Sequence, residues 1–227
     1  MRLAAHLTLV FALSATGWPA RAAGEDLTKL VAGIRAYYGK AKDFKAGFEQ
    51  TVRTKFEPGA AETLKGTLYV KRPGLLRWEY EKAEDGPLLV CDGKTLYQYD
   101  AFDNAVEVVK DFKSNDLTAA LSFLWGKGDL AQEFNIERYA GKKTYGGPGD
   151  TVLRLTPKSL PSQFKELVLV IEPGTSQVKE SAWTDGYGGE NHLKFTRASI
   201  DNRLDDKLFR FEIPKGADVI ERAVGAP

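Results

Sequence analysis

One cysteine and two histidines are all that this 227-residue chain offers toward disulfides or soft metal sites. Cys91 alone excludes an intramolecular disulfide framework, so an oxidising compartment must be met without covalent staples. His6 stands in the N-terminal apolar run. That leaves His192 as a lone imidazole in an alternating strand, with no Cys or acidic residue at ligand spacing, which argues for a structural histidine and no metal site. Net charge is lacking too. A balance of +1 carries no electrostatic footprint for nucleic acid or for an anionic lipid surface. No glycine-rich loop precedes a helix as a phosphate cradle requires, and Gly146-Gly147-Pro148-Gly149 reads as a turn. No pair of carboxylates stands in an apolar setting that would split their pKa values, so no catalytic residue and no cofactor is expected.

Long apolar runs are confined to the start of the chain. Met1-Arg2 is a short positive head, Leu3 to Trp18 is largely apolar, and Ala20-Arg21-Ala22 fits a small-x-small cleavage site. Residues 1–22 therefore read as a secretory signal peptide, too short and wrongly flanked for a membrane anchor. No cysteine follows the run, so the mature N-terminus is not expected to carry the lipid of a bacterial lipoprotein. No later stretch reaches the roughly 18 apolar residues of a membrane span. The expectation is an exported, nearly neutral protein with one domain over residues 23–227, long enough to bury one good core.

What the chain has in quantity is aromatics, with 12 Phe, 9 Tyr and 4 Trp, and these favour strands. Glu25 to Tyr38 reads as an amphipathic helix, with Leu27, Leu30, Val31, Ile34 and Tyr38 on one face and Gly39 at its end. From Phe44 the period changes to two. Strands are expected at 44–56, 64–71, 76–80, 87–91, 95–99 and 104–109, with Asp92-Gly93 as a hairpin turn. Asp116 to Trp125 returns to helical spacing but is apolar on almost every side, so it must lie over something apolar. Further strands are expected at 134–139, 151–156, 164–172, 177–184, 191–199 and 208–213, and Pro214 to Ala223 closes the chain as a turn or a short strand.

The fold class that follows is mainly β with α: an incomplete, open antiparallel β-barrel of about eleven strands, covered by a helical lid. Its lumen is either packed shut as a core or left partly open for an apolar ligand, and periodicity does not separate the two.

The sharpest local signal is Lys71-Arg72-Pro73-Gly74-Leu75-Leu76-Arg77-Trp78-Glu79-Tyr80. Pro73 and Gly74 specify a turn, and Leu76, Trp78 and Tyr80 then share one face of a strand. Arg72 at the turn is either a solvated residue or a planar fork of donors aimed at backbone carbonyls across the mouth of a cavity.

This run, followed by Asp92-Gly93-Lys94-Thr95-Leu96-Tyr97-Gln98-Tyr99, resembles the LolA family of periplasmic lipoprotein carriers. Gly47-Phe48-Glu49-Gln50-Thr51, the leucine-rich segment before Gly126 and Phe211-x-Ile213-Pro214-Lys215-Gly216-Ala217-Asp218-Val219-Ile220 extend the likeness over almost the whole mature chain. The resemblance implies an apolar cavity that holds lipoprotein acyl chains. It implies an inner-membrane ABC transporter as supplier and an outer-membrane LolB-like receptor as recipient. It makes Arg72 the latch that hydrogen-bonds lid backbone. Leu76 and Trp78 become cavity residues, and the same lining is expected of Leu68, Val70, Tyr97, Tyr99, Leu117, Leu121, Leu124 and Trp125. Three other readings stay open: a carrier of another apolar lipid, a sensor built on the same fold, and an exported hydrolase. A sensor would want a second domain, and a hydrolase would want a polar cluster facing the lumen.

Overall fold

Asp26 starts the first helix by capping it. Its carboxylate accepts from Thr28 N–H at 2.9 Å, satisfying a donor that has no partner within the helix. The helix α1 (Leu27–Lys40) buries Leu30, Ile34 and Tyr38 at the spacing that the sequence shows, and runs one residue past Gly39 before Ala41 turns extended. These observations come from a computed structural model that describes residues 26–55, 61–82, 84, 86–112, 130–159, 164–185 and 188–222. The expected signal peptide and the helix expected over Asp116 to Trp125 lie outside the described residues.

Twelve strands form one sheet: β1 (Asp43–Arg53), β2 (Glu62–Lys71), β3 (Leu75–Tyr80), β4 (Leu88–Asp92), β5 (Leu96–Asp100), β6 (Ala105–Val109), β7 (Phe134–Arg138), β8 (Thr151–Pro157), β9 (Phe164–Ile171), β10 (Val178–Asp185), β11 (Glu190–Ile200) and β12 (Asp218–Arg222). A one-turn helix α2 (Leu130–Glu133) leads directly into β7. The order across the sheet is β12-β6-β5-β4-β3-β2-β1-β11-β10-β9-β8-β7, so among the described residues β12 and β7 are the edge strands and the sheet stays open. β1 joins the two halves of the chain, pairing with β2 on one side and β11 on the other.

Side-chain parity sets two faces. The inner face, under α1, gathers Phe44, Ala46 and Phe48 of β1 with Leu68 and Val70 of β2. It continues through Leu76 and Trp78 of β3, Cys91 of β4, Leu193 of β11 and Leu167, Leu169 and Ile171 of β9. Gly66 belongs to this row for a steric reason. A Cβ there would sit 2.2 Å from the Glu79 carbonyl oxygen and 2.3 Å from Phe48 Cζ, so the bare backbone makes room for the Phe48 ring.

One expectation at the C-terminal end needs correction. Leu208 to Ile213 is no strand. Asp205 accepts from Lys207 N–H at 2.9 Å and caps a 3-10 turn (Asp206–Phe209), after which an extended strap crosses the outer face of the sheet. Phe209 is buried, and Phe211 sits 5.3 and 5.9 Å from the rings of Tyr97 and Tyr99. The alternation of Phe209, Phe211 and Ile213 serves that strap, not a ladder. The short strand expected within Pro214 to Ala223 forms at residues 218–222, and β12 runs parallel to β6 in an otherwise antiparallel sheet.

Candidate functional site

Leu68, Val70, Leu76 and Trp78 all point to the inner face and are nearly inaccessible, at 0 to 7% exposed. The pairing brings them together: Val70 stands opposite Leu76, and Leu68 opposite Trp78. The ring of Phe48 lies 4.5 Å from that of Trp78 and 5.4 Å from that of Tyr80, extending the apolar row into an aromatic cluster. Beyond it the face turns polar. Tyr80 Oη donates to Gln50 Oε1 at 2.7 Å, and Gln50 Nε2 donates to Asn191 Oδ1 at 2.8 Å. The sequence places Gln50 in the Gly47–Thr51 run without assigning it a role in the lining. Its place two residues beyond Phe48 in the strand is the signal that puts it on the inner face.

The opposite end of this face carries Arg72. The turn at residues 72–74 forms as the sequence indicates, with Gly74 at φ +74° and the Arg72–Pro73 peptide cis. The guanidinium reaches the end of α1: Nε donates to Ala41 O at 2.8 Å, and Nη2 donates to Tyr38 O at 3.0 Å and to the carbonyls of Gly39 and Ala41. Arg72 N–H also donates to Lys42 O at 3.0 Å. Carbonyls at a helix C-terminus lack partners inside the helix and carry its negative dipole end, so a cation with several donors suits them. The helix is held on its other flank by the turn between β9 and β10. Val178 N–H donates to Tyr38 Oη at 3.0 Å, Tyr37 Oη donates to Gln177 Oε1 at 3.0 Å, and Gly33 packs on Ser176. Burial drives the Tyr38 hydroxyl well above its ordinary pKa, so it stays neutral.

Asp43, at the start of β1, fastens the segment that leads from β11 into the 3-10 turn. Its buried carboxylate accepts from Asn202 N–H at 2.6 Å, Asn202 Nδ2 at 3.0 Å and Leu204 N–H at 3.1 Å. Burial raises its pKa, but the hydrogen bonds from Leu204, Asn202 and Arg203 outweigh burial and hold it below the usual carboxylate range.

Tyr97 and Tyr99 do not join the lining. Leu96 takes the inner face beside Cys91, and the alternation sends both tyrosines outward, against Phe211. Leu117, Leu121, Leu124 and Trp125 lie outside the described residues.

His192 also faces outward. Its Nε2 lies 2.8 Å from Glu180 Oε2, and the Tyr145 ring meets it edge-on at 5.5 Å. The acidic partner comes from the neighbouring strand, a proximity that spacing along the chain does not reveal. Burial raises the Glu180 pKa, but the hydrogen bond and charge of His192, the charge of Lys194 and the hydrogen bond from Gly146 N–H together outweigh it, leaving the carboxyl below its usual range. His192 borders an outer cleft of 630 Å³, where Lys143 pairs with Glu190. Glu166, on the same wall, pairs with Arg154 at 2.6 Å. Cys91 is buried, and burial pushes its thiol up to about 11. Among the described residues no group of three or more His, Cys, Asp or Glu is placed to hold a metal ion.

Comparison with known proteins adds a second line of observation. Residues 39–212 match the family described as "Outer membrane lipoprotein carrier protein LolA". A protein of Hahella chejuensis named outer-membrane lipoprotein carrier protein is 31% identical over 217 residues, covering 96% of this chain and 97% of its own. A protein of the same name from Cupriavidus necator is 32% identical over 219 residues, covering 94% and 93%. Among solved structures, an uncharacterized conserved protein from Thermus thermophilus superposes with a TM-score of 0.53 at 16% identity, over 87% of this chain and all of that one. That likeness speaks for the fold alone.

Proposed function

The chain belongs to the LolA family, and on that premise we propose that it is a periplasmic carrier which takes up the acyl chains of lipoproteins leaving the inner membrane and delivers them to an outer-membrane receptor. In this reading residues 1–22 direct export and are removed, and residues 23–227 are the carrier domain. An inner-membrane ABC transporter of the lipoprotein-releasing kind supplies the cargo, and a LolB-like receptor accepts it.

The observation that carries the reading is the inner row Leu68, Val70, Leu76 and Trp78 beneath a helix whose C-terminus is gripped by one side chain, Arg72. An apolar face under a detachable cover suits a hydrocarbon cargo. Each buried methylene contributes about 0.8 kcal/mol, so long acyl chains supply a large gross binding energy without chemistry. The proposal assigns no catalytic step. Delivery needs only a cover that opens and closes and a recipient with higher affinity, and a charged donor worth about 1.5–3 kcal/mol net is a suitable scale for the latch.

Native mass spectrometry of the protein purified from the periplasm of expressing cells tests this. Co-purified acylated lipoprotein is the expected result. Protein free of any adduct, from cells whose lipoproteins reach the outer membrane normally when it is depleted, would sink the proposal.

A further inference from the structure

Among the described residues Trp78 Nε1 is fully buried and has no hydrogen-bond partner, while the other buried side-chain nitrogen and oxygen atoms find one. An unpartnered buried donor is a standing cost, and native proteins retain few of them. The surroundings explain why no acceptor is at hand. Trp78 stands between Leu68 and Leu89 across the neighbouring strands, with the Phe48 ring 4.5 Å and the Tyr80 ring 6.3 Å away. The nearby polar chain closes without it, since Tyr80 gives its hydroxyl hydrogen to Gln50 and Gln50 gives its amide hydrogen to Asn191. A phenylalanine would fill an apolar face at no such cost. An indole adds one donor to the same kind of apolar surface.

We infer that Trp78 Nε1–H is held for the ligand, as the donor to an ester or amide carbonyl at the head of an acyl chain. The inference rests on the carrier reading and narrows it: the inner face selects acyl chains over plain hydrocarbon. A bare alkyl chain buries as much methylene but offers no acceptor, so it leaves the indole unpaired. An acyl carbonyl satisfies it and removes a cost that the ligand-free state carries. Lipoproteins and glycerophospholipids share this carbonyl chemistry.

The test uses matched probes on the mature protein. One pair is a lipopeptide bearing a diacylglyceryl cysteine and its dialkyl ether analogue. The second pair is diacyl phosphatidylethanolamine and its dialkyl ether analogue. Wild type is expected to prefer the acyl member of the lipopeptide pair by about three- to tenfold. Trp78→Phe is expected to lose that preference, because the ratio within each variant cancels the effect of the smaller ring on affinity. In ¹⁵N-labelled wild type, the Trp78 indole N–H resonance is expected to move with the diacyl probe and stay with the dialkyl one, a readout that needs no substitution. A preference in the lipopeptide pair alone ties the donor to lipoprotein acyl chains, and one in both pairs ties it to acyl carbonyls in general; either supports the inference. Binding without preference in wild type, or a preference that survives in Trp78→Phe, would overturn it and leave the carrier reading standing. No binding of any probe by wild type would overturn both.

Discussion

Arg72, on the turn between β2 and β3, donates to the Ala41 carbonyl from both Nε and Nη2 and so closes a planar fork over the residue that ends α1. Two further carbonyls of the last helical turn, those of Tyr38 and Gly39, accept from the same Nη2. One side chain thus ties the C-terminal end of α1 to the β2–β3 turn through charged donors, while Tyr37 and Tyr38 tie the same helix to the turn between β9 and β10.

Replacing Arg72 by leucine is expected to leave the sheet folded, because the residues of the inner face do not depend on it. The end of α1 loses about 1.5–3 kcal/mol of anchoring, and the closed form loses that much of its advantage over the open one. Loading with lipoprotein continues. Transfer from the purified complex to outer-membrane vesicles slows by roughly ten- to a hundredfold, since closure no longer favours expulsion. Arg72→Lys keeps the charge but not the fork and falls between the two. Transfer at the wild-type rate by Arg72→Leu would remove the latch from the mechanism.

Gly66→Ala tests the close approach at the aromatic cluster. The added methyl meets a backbone oxygen and the Phe48 ring well inside van der Waals contact, and the ring cannot shift without disturbing Trp78 and Tyr80. A cost of about 1–3 kcal/mol is expected, read as a fall in Tm of roughly 3–10 °C. An unchanged Tm would mean that the ring has room to move.

Asp43 supplies a pH dependence whose sign is fixed. Its folded pKa lies below the ordinary value of 3.8, so the stabilisation is complete above that value and is lost as pH falls through the lower, folded one. Asp43→Asn removes the titration, and its stability is expected to fall less steeply than that of wild type below about pH 4. Asp43→Ala is expected to cost about 2–3 kcal/mol at pH 7 by releasing the segment at Asn202 and Leu204. Parallel acid limbs for wild type and Asp43→Asn in thermal melts from pH 7 to 2.5 would contradict this.

How much of this was legible in the sequence depends on whether both faces of a strand differ. In β3, Leu76 and Trp78 alternate with Arg77 and Glu79, so parity and burial follow at once. In β5 the same parity separates Leu96 from Tyr97 and Tyr99, but nothing in the strand says that a distant strap will cover its outer face. Tyr97 and Tyr99 therefore look like lining and pack outside. The strap deceives for the converse reason, because Phe209, Phe211 and Ile213 alternate as a strand does while pairing with none. β12 was hard to read because an edge strand exposed on both faces has no apolar rhythm: Asp218, Val219, Ile220, Glu221 and Arg222 are all exposed. Arg72 was legible as a turn cation. Its partners were not, because the folded end of α1 comes from more than thirty residues away in the chain.

Cys91 offers a reporter for the opening of the cover. It is the chain's single cysteine, and it lies in the inner-face cluster, opposite Leu76 on β3 and Leu96 on β5. Burial comes first in raising its thiol from 9.0 to about 11, with the charge of Asp92 adding to the rise, so at pH 8 the reactive thiolate is about 100-fold scarcer than for an unperturbed thiol. Labelling by a neutral maleimide is therefore expected to be slow in the closed protein and limited by excursions that expose the inner face. Arg72→Leu is expected to raise the labelling rate roughly tenfold or more at unchanged global stability of the sheet, because opening at α1 becomes easier. Bound acyl chains are expected to lower the rate again by occupying the face that the reagent must reach. Equal rates in wild type and Arg72→Leu would show that α1 does not control access to this face, whatever the fate of the cargo.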